Sequence, residues 1–162
     1  MDCRLFRRSG CRRNTGTIYL GDGDHLTALN PNGSFKWQIN VTDYFSQPAL
    51  GADGTIYLGT VEQGLLAINP DSTVKWAYRS DLTFTTPTIG GDGTLYAAAF
   101  GTVLHAVNPD GTVKWTMDWS SVTTCAVNYN EPTIGPDGTI YIIPDNGGSG
   151  SCIPVGPLIA VH

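Results

Sequence analysis

Residues 106–115 read AVNPDGTVKW, and two earlier stretches, 67–76 (AINPDSTVKW) and 28–37 (ALNPNGSFKW), repeat the pattern. The spacing is 39 residues each time, and the Lys-Trp pairs that end the stretches contain every lysine of the chain. A second motif, D-G-T-[IL]-Y, occurs at residues 53–57, 92–96 and 137–141, with a partial copy, TGTIY, at 15–19. Because both motifs recur in one phase, the sequence indicates an internal repeat.

Each repeat predicts four short β-strands. In the third copy, residues 87–89 lead through a Gly-Gly-Asp-Gly turn to 94–97, a loop leads to 104–108, and an Asn-Pro-Asp-Gly turn leads to 112–117. Asp-Gly and Asn-Gly pairs accept the positive φ angles of tight hairpins. In the fourth strand, Val113, Trp115 and Met117 alternate with Lys114 and Thr116, which predicts one buried side and one solvent-facing side. Gly or Pro interrupts every window long enough for a helix.

Four-stranded units of about 40 residues are typical of a β-propeller, although a stacked β-solenoid is an alternative. The prediction is therefore an all-β propeller of four-stranded antiparallel blades, with about four blades present. We expect a partial blade at residues 15–46, blades at 47–85 and 86–130, and a partial blade at 131–162. The first partial blade has no obvious inner strand, and the last has no Trp-bearing outer strand.

Such an arc leaves two apolar blade faces uncovered, which is costly for a soluble monomer. We therefore expect that the chain is a piece of a longer protein with further blades, or that copies associate. Residues 1–14 contain five arginines and are expected to form a disordered basic segment outside the repeats.

The charge distribution excludes one class of partner. Residues 15–162 carry four basic side chains against thirteen acidic ones, so the propeller lacks the clustered cations that nucleic-acid binding requires. No apolar run approaches the length of about 18 residues that a membrane span needs. We therefore expect neither a nucleic-acid partner nor a membrane span.

The aromatic residues of the motifs recur at fixed positions, which predicts packing between blades rather than a ligand platform. These residues are Trp37, Trp76, Trp115, Tyr19, Tyr57, Tyr96 and Tyr141.

Together the motifs resemble the pyrroloquinoline-quinone-like (PQQ-like) propeller repeat with its tryptophan-docking motif, over residues 15–162. The usual docking motif spans eleven positions with Thr-Gly in its turn, whereas here it spans ten and Ser72 replaces the glycine of the second copy. The resemblance implies a role like that of its noncatalytic relatives, which include outer-membrane assembly subunits, extracytoplasmic sensor domains and cell-surface proteins. Other members are quinone-dependent dehydrogenases with a full ring, bound Ca²⁺, a catalytic Asp and commonly a vicinal disulfide.

Two insertions interrupt the repeat, one of six residues between Trp115 and Pro132 and one of nine between Tyr141 and Ala160. In an up-and-down blade both insertions emerge on the same face of the last blade. Each contains one cysteine, so we predict a disulfide between Cys125 and Cys152, which implies an oxidising compartment. Trp119 falls outside the repeat register in the first insertion and is the candidate ligand-facing aromatic.

We find no credible catalytic set and no adjacent cysteines. The three histidines lack metal-ligand spacing, and residues 21–24 (GDGD) lack the ligand series of a calcium loop. The sequence therefore predicts a noncatalytic binding or assembly scaffold, extracytoplasmic, with a protein partner and with no catalytic, cofactor or metal site. The alternative is a fragment of a quinone-dependent alcohol or sugar dehydrogenase, in which PQQ and Ca²⁺ would be the cofactors.

Overall fold

The computed structural model describes residues 13–14, 16–41, 47–78, 82–101, 103–118, 131–142 and 159–161. Within those ranges the chain forms fifteen β-strands and no helix. The strands form four antiparallel sheets, in each of which the strands lie side by side in chain order. Short turns therefore connect neighbouring strands, as the Asp-Gly and Asn-Gly pairs predict.

The first sheet consists of β1 (Arg13–Asn14), β2 (Thr17–Gly21), β3 (His25–Leu29) and β4 (Phe35–Asn40). The second consists of β5 (Ala49–Leu50), β6 (Ile56–Gly59), β7 (Leu65–Ile68) and β8 (Val74–Tyr78). The third consists of β9 (Thr88–Ile89), β10 (Leu95–Ala99), β11 (Val103–Val107) and β12 (Val113–Asp118). The fourth sheet has three described strands, β13 (Thr133–Ile134), β14 (Ile140–Ile142) and β15 (Ile159–Val161).

The first sheet corrects the expected N-terminal boundary. Arg13 pairs with Ile18 and Asn14 pairs with Thr17, so β1 is the inner strand that the sequence did not indicate. Both residues belong to the segment 1–14 that was expected to lie outside the repeats. Arg13 and Asn14 have neither the preceding proline nor the aliphatic residue that mark the inner strand of the other sheets, as in residues 87–89, so the sequence did not indicate this strand.

The Asn-Pro turns have the same geometry in the first three sheets. In the third, the Asn108 N–H donates to the Thr112 carbonyl at 2.8 Å, and the Asn108 side chain donates to Thr112 Oγ1 at 2.9 Å. Gly111 has a φ of +89°, which glycine adopts without a Cβ clash. Ser72 has a φ of +77° at the equivalent place in the second sheet, so this turn holds an L-residue in the left-handed region.

Neighbouring sheets pack face to face through alternate residues. From the second sheet, Tyr57, Leu65 and Ala67 share a cluster with Leu95, Ala97 and Val107 of the third sheet. The opposite side of the second sheet, Ile56, Leu58, Leu66 and Ile68, packs against Tyr19, Leu26 and Ala28 of the first. Ala98 and Leu104 of the third sheet pack in the same way against Ile140 and Ile142 of the fourth. The core is therefore a series of layers between sheets, as between propeller blades.

The outer strands differ from the simple alternation expected of them. Phe35, Val74 and Val113 begin these strands and are 65%, 61% and 45% exposed, although the pattern placed them on a buried side. The cause is a register shift in each outer strand, between the pairs Ala106–Trp115 and Val107–Val113 in the third sheet. Because this bulge puts two residues opposite one, it breaks the period of two.

Candidate binding groove along the inner strands

A cavity of about 560 Å³ runs along the inner strands of the second and third sheets. We call it the inner-strand groove. Its polar lining consists of Gln47, Thr86, Thr88 and Glu131, and its apolar lining of Pro48, Ala49, Leu50, Ala52, Pro87 and Ile89. This volume lies within the range of roughly 300–1,000 Å³ that is usual for ligand sites.

Hydrogen bonds between neighbouring sheets hold the groove in shape. The Gln47 N–H donates to Thr86 Oγ1 at 2.9 Å, which ties the second sheet to the third. The Thr88 hydroxyl donates to the Pro132 carbonyl, which ties the third sheet to the fourth. The groove is thus lined by short strands whose relative positions are fixed by polar contacts as well as by the apolar layers behind them.

One repeat position supplies a different side chain to the groove in each sheet. Pro48, Pro87 and Pro132 are equivalent and all buried, whereas the residues before them are Gln47, Thr86 and Glu131. The proline is a buried part of the fold in each sheet, while the side chain before it changes in size and charge. The signal for this position in the sequence is the change of the residue before a proline that recurs in each of these repeats.

The recurrent tryptophans lie between sheets, half-buried rather than fully buried. The Trp37 Nε1–H donates to the Pro70 carbonyl and the Trp76 Nε1–H donates to the Pro109 carbonyl, each at 2.9 Å. Both acceptors lie in the Asn-Pro turn of the next sheet. No residue in the described ranges accepts a hydrogen bond from Trp115 Nε1. Trp37 and Trp76 therefore each link their own sheet to the next by a hydrogen bond.

The recurrent tyrosines pack against these indoles. Ring centroids are 5.7 Å apart for Tyr19 and Trp37, 5.8 Å for Tyr57 and Trp76, and 5.8 Å for Tyr96 and Trp115. Burial raises the pKa of Tyr19 and of Tyr57 above the usual value. Tyr141 holds the same place in the fourth sheet, where it pairs with Ala160.

Two of the three lysines, Lys75 and Lys114, each form an ion pair with a turn carboxylate, which the sequence did not indicate. Lys75 Nζ lies 3.1 Å from Asp53 Oδ2 and 3.0 Å from Thr55 Oγ1, and Lys114 repeats both contacts with Asp92 and Thr94. A hydrogen bond from the Thr55 backbone N–H lowers the pKa of Asp53 to about 2, and the Lys75 ammonium contributes to the shift. The acidic residues of the turns therefore fix the second strand to the outer strand.

His105 is buried at the boundary between the second and third sheets. Its Nδ1 lies 3.1 Å from the Tyr78 hydroxyl, and its ring meets the Phe84 ring edge-on at 5.0 Å between centroids. Its Nε2 is buried and has no hydrogen-bond partner in the described structure. Burial lowers the pKa of His105, so the imidazole is neutral at pH 7.

Three of the predicted site residues, Trp119, Cys125 and Cys152, lie outside the described residues, as does His162. His25, the remaining histidine, lies beside Asp22, with 3.2 Å between Nδ1 and Oδ1. Among the described residues, no three His, Cys, Asp or Glu side chains group closely enough to hold a metal ion. None of the described segments is a helix long and apolar enough to cross a membrane.

No protein-family model matches the chain, and no curated protein matches it. Solved structures do match. BamB from Moraxella catarrhalis superposes with a TM-score of 0.69 at 14% identity, over 85% of this chain and 43% of that one. A streptogramin B lyase superposes with a TM-score of 0.65 at 13% identity, over 91% of this chain and 51% of the lyase. A protein of unknown function from Bacteroides caccae gives a TM-score of 0.59 at 12% identity, over 86% and 55%.

The chain thus spans about half the length of the structures it resembles. At 12–14% identity the similarity concerns the fold alone. BamB and the lyase are β-propeller proteins, and the four stacked sheets of this chain superpose on them without any helix in the described ranges. The predicted all-β propeller is confirmed, and this chain has a β-propeller fold of which the described residues form an arc of four blades.

Proposed function

We propose that this chain is a noncatalytic propeller segment that binds a protein partner and serves as a binding or assembly scaffold. The observation that carries the proposal is the inner-strand groove, in which one repeat position presents Gln47, Thr86 and Glu131 in three successive sheets. Positions that only maintain the framework are nearly constant across the repeats, so a variable position on a concave surface favours a role in recognition.

The polar groups that recur from repeat to repeat support the same proposal. Asp53 and Asp92 accept hydrogen bonds from Thr55 and Thr94, and each pairs with a lysine. These carboxylates are engaged in holding strands together, which is a structural use and not a catalytic one.

We further propose that the repeat is of the PQQ-like kind. The support is the AxNPDGTVKW pattern together with the indole contacts from Trp37 and Trp76 to the next turn. By this resemblance the chain is extracytoplasmic, and a disulfide between Cys125 and Cys152 would agree with that location.

The groove is tested with a phage-displayed library of random peptides, panned on the purified chain. Glu131 is exposed and is the charged side chain of the groove lining, so we expect the selected peptides to contain Lys or Arg. Glu131→Arg should weaken their binding at least about tenfold, since like charges then oppose each other. The matched control is Glu62→Arg, which makes the same charge change on an exposed loop outside the groove. Equal binding to both variants would contradict the proposal.

The second candidate is a fragment of a quinone-dependent dehydrogenase, and the only support for it is the repeat resemblance. The test mixes the chain with PQQ and Ca²⁺ and follows dye reduction with alcohols and sugars as substrates. We expect no turnover above a control without protein. Substrate-dependent dye reduction would replace the scaffold proposal with the enzymatic one.

A further inference from the structure

The first sheet has one mostly apolar side on which no other described sheet packs. Ile18 and Leu20 of β2 and Thr27 and Leu29 of β3 are all half-buried on this side. We call these four residues the leading face. In the second sheet the same register positions are Ile56, Leu58, Leu66 and Ile68, and none is more than 4% exposed. In the third they are Leu95, Ala97, His105 and Val107, with at most 6% exposed. Strand pairing defines the equivalence, since Ile18 pairs with Leu29 as Ile56 pairs with Ile68.

The preceding sheet covers this side in the second and third sheets. Tyr19, Leu26 and Ala28 of the first sheet cover Ile56 and its neighbours. Tyr57, Leu65 and Ala67 of the second cover Leu95 and Ala97. Both interfaces therefore join the tyrosine side of one sheet to the leading face of the next, in the same register.

The fourth sheet carries the tyrosine side of a further interface. Tyr141 pairs with Ala160 as Tyr19 pairs with Ala28 and Tyr57 with Ala67. Tyr141 is half-buried, as is Tyr96 of the third sheet, so its place in the register rather than its exposure identifies this side. The chain therefore carries the two complementary halves of its own repeated interface, one at each end of the arc.

The turn of the first sheet at residues 30–34 has the same geometry as the turns that contact an indole of the preceding sheet. Its backbone hydrogen bonds, from Asn30 N to Ser34 O and from Gly33 N to Asn30 O, match those of the turns that accept Trp37 and Trp76. At Gly111 an added Cβ would lie 2.8 Å from the Trp76 indole, so that indole lies directly on the glycine. At Gly33 an added Cβ would meet no described atom within 4 Å.

We infer that two copies of this chain associate head to tail, with the fourth sheet of each copy packing on the leading face of the other. Two four-sheet arcs contain about eight sheets, which lies within the range of roughly four to eight blades found in closed propellers. The arrangement has two identical contacts and two-fold symmetry, so it closes instead of growing into a filament. This inference rests on the assembly role proposed above and is independent of what the inner-strand groove binds.

The test uses the full chain, two interface variants and one control variant, measured by light scattering and sedimentation. The parent chain should have twice the 17.3 kDa mass at high micromolar concentration. Leu20→Lys and Tyr141→Lys should each be monomeric, because each places a charge in both contacts of the ring. An equimolar mixture should recover a two-chain particle, since the intact fourth sheet of one variant can pack on the intact leading face of the other. Val61→Lys, at a 39% exposed loop position, should remain a dimer.

Three results would overturn the inference. The first is a monomeric parent at high micromolar concentration. The second is a Tyr141→Lys variant that stays dimeric while Leu20→Lys does not, because this would mean that two leading faces pair with each other. The third is a parent that forms species heavier than two chains. Urea unfolding of each variant establishes that it is folded, and Leu20→Ser and Tyr141→Ser replace a lysine variant that fails to fold. The peptide-binding assay on Glu131 is unaffected by any of these outcomes.

Discussion

Single residues in this propeller show where the repeat is under strain. Ser72 is the non-glycine residue with a positive φ in the described structure, at a turn position that holds Gly33 and Gly111 in the other two complete repeats of the motif. The left-handed conformation costs an L-residue roughly 1–2 kcal/mol. The neighbouring hydrogen bonds, from Asn69 N to Thr73 O and from Ser72 N to Asn69 O, keep the turn closed despite this cost.

Replacing Ser72 with glycine should therefore stabilise the chain by about 0.5–1 kcal/mol, because the relief of strain exceeds the added freedom of the unfolded chain. Urea unfolding measures the difference. The reverse change, Gly111→Ser, is the matched control and should be destabilising, since its Cβ would lie 2.8 Å from the Trp76 indole. A less stable Ser72→Gly variant would show that the serine turn is not strained.

His105 is buried between the second and third sheets and makes the stability of the chain depend on pH. Burial lowers its folded pKa, so the folded chain resists the proton that the unfolded chain binds near pH 6.5. Stability contributed by the neutral imidazole is therefore complete above about pH 6.5 and is lost as the pH falls below that value.

The test compares urea unfolding at pH 7.5 and pH 5.5 for the parent chain and for His105→Leu, which copies Leu66 at the equivalent position of the second sheet. The parent should lose more stability between these two pH values than the variant does. Asp53 does not confound this range, because its lowered pKa makes its contribution to stability fall only below about pH 4. The same pH dependence in both proteins would contradict this assignment.

At the scale of strands, the outer strands β4 and β8 each connect their sheet to the next through the hydrogen bond of one indole. Trp76 donates to Pro109 O, contacts Tyr57 and lies on Gly111, whereas Trp115 keeps the tyrosine contact without an acceptor in the described structure. Because the indoles are half-buried, their truncation should cost less than the upper values known for buried aromatics.

We expect Trp76→Ala to lower the free energy of unfolding by about 3 kcal/mol, at the lower end of the range for large aromatic truncations. Trp76→Phe should cost about 1 kcal/mol, since it keeps the ring and removes the hydrogen bond to Pro109 O. Trp37→Ala is the matched variant and should have a similar cost, since Trp37 makes the equivalent contacts with Tyr19 and Pro70 O. Equal unfolding midpoints for Trp76→Ala and the parent chain would disprove the packing role of this indole.

At the scale of the whole molecule, the two insertions in the repeat carry the predicted disulfide. We expect Cys125 and Cys152 to form a disulfide in protein secreted to an oxidising compartment, closing a loop of about 28 residues that adds roughly 3–4 kcal/mol in the chain-entropy model. Alkylation with and without reductant, followed by peptide mapping, measures the pairing. Alkylation of both cysteines without reductant would exclude the bond.

Much of the architecture was predictable because the repeat encodes local geometry. The Asn-Pro-Asp-Gly turn needs only four adjacent residues, and the sequence alone placed the second, third and outer strands around it. The repetition also indicated face-to-face packing of similar sheets, since in-phase aromatics mark equivalent contacts. The inner strand β1 was not predictable because Arg13 and Asn14 lack the proline and the aliphatic residue of the other inner strands. The exposure of Phe35, Val74 and Val113 was not predictable because a bulge breaks the alternation.

The sequence by itself determined the repeat, its strands and the propeller class, because turns and alternation depend on neighbours along the chain. Only the tertiary structure decided the rest. The inner-strand groove, the Lys75–Asp53 pair and the contact of His105 with Tyr78 each join residues that are more than twenty positions apart. The physical reason is that such contacts depend on how one sheet is rotated and spaced against the next, and the packing of the apolar layers between sheets sets that geometry.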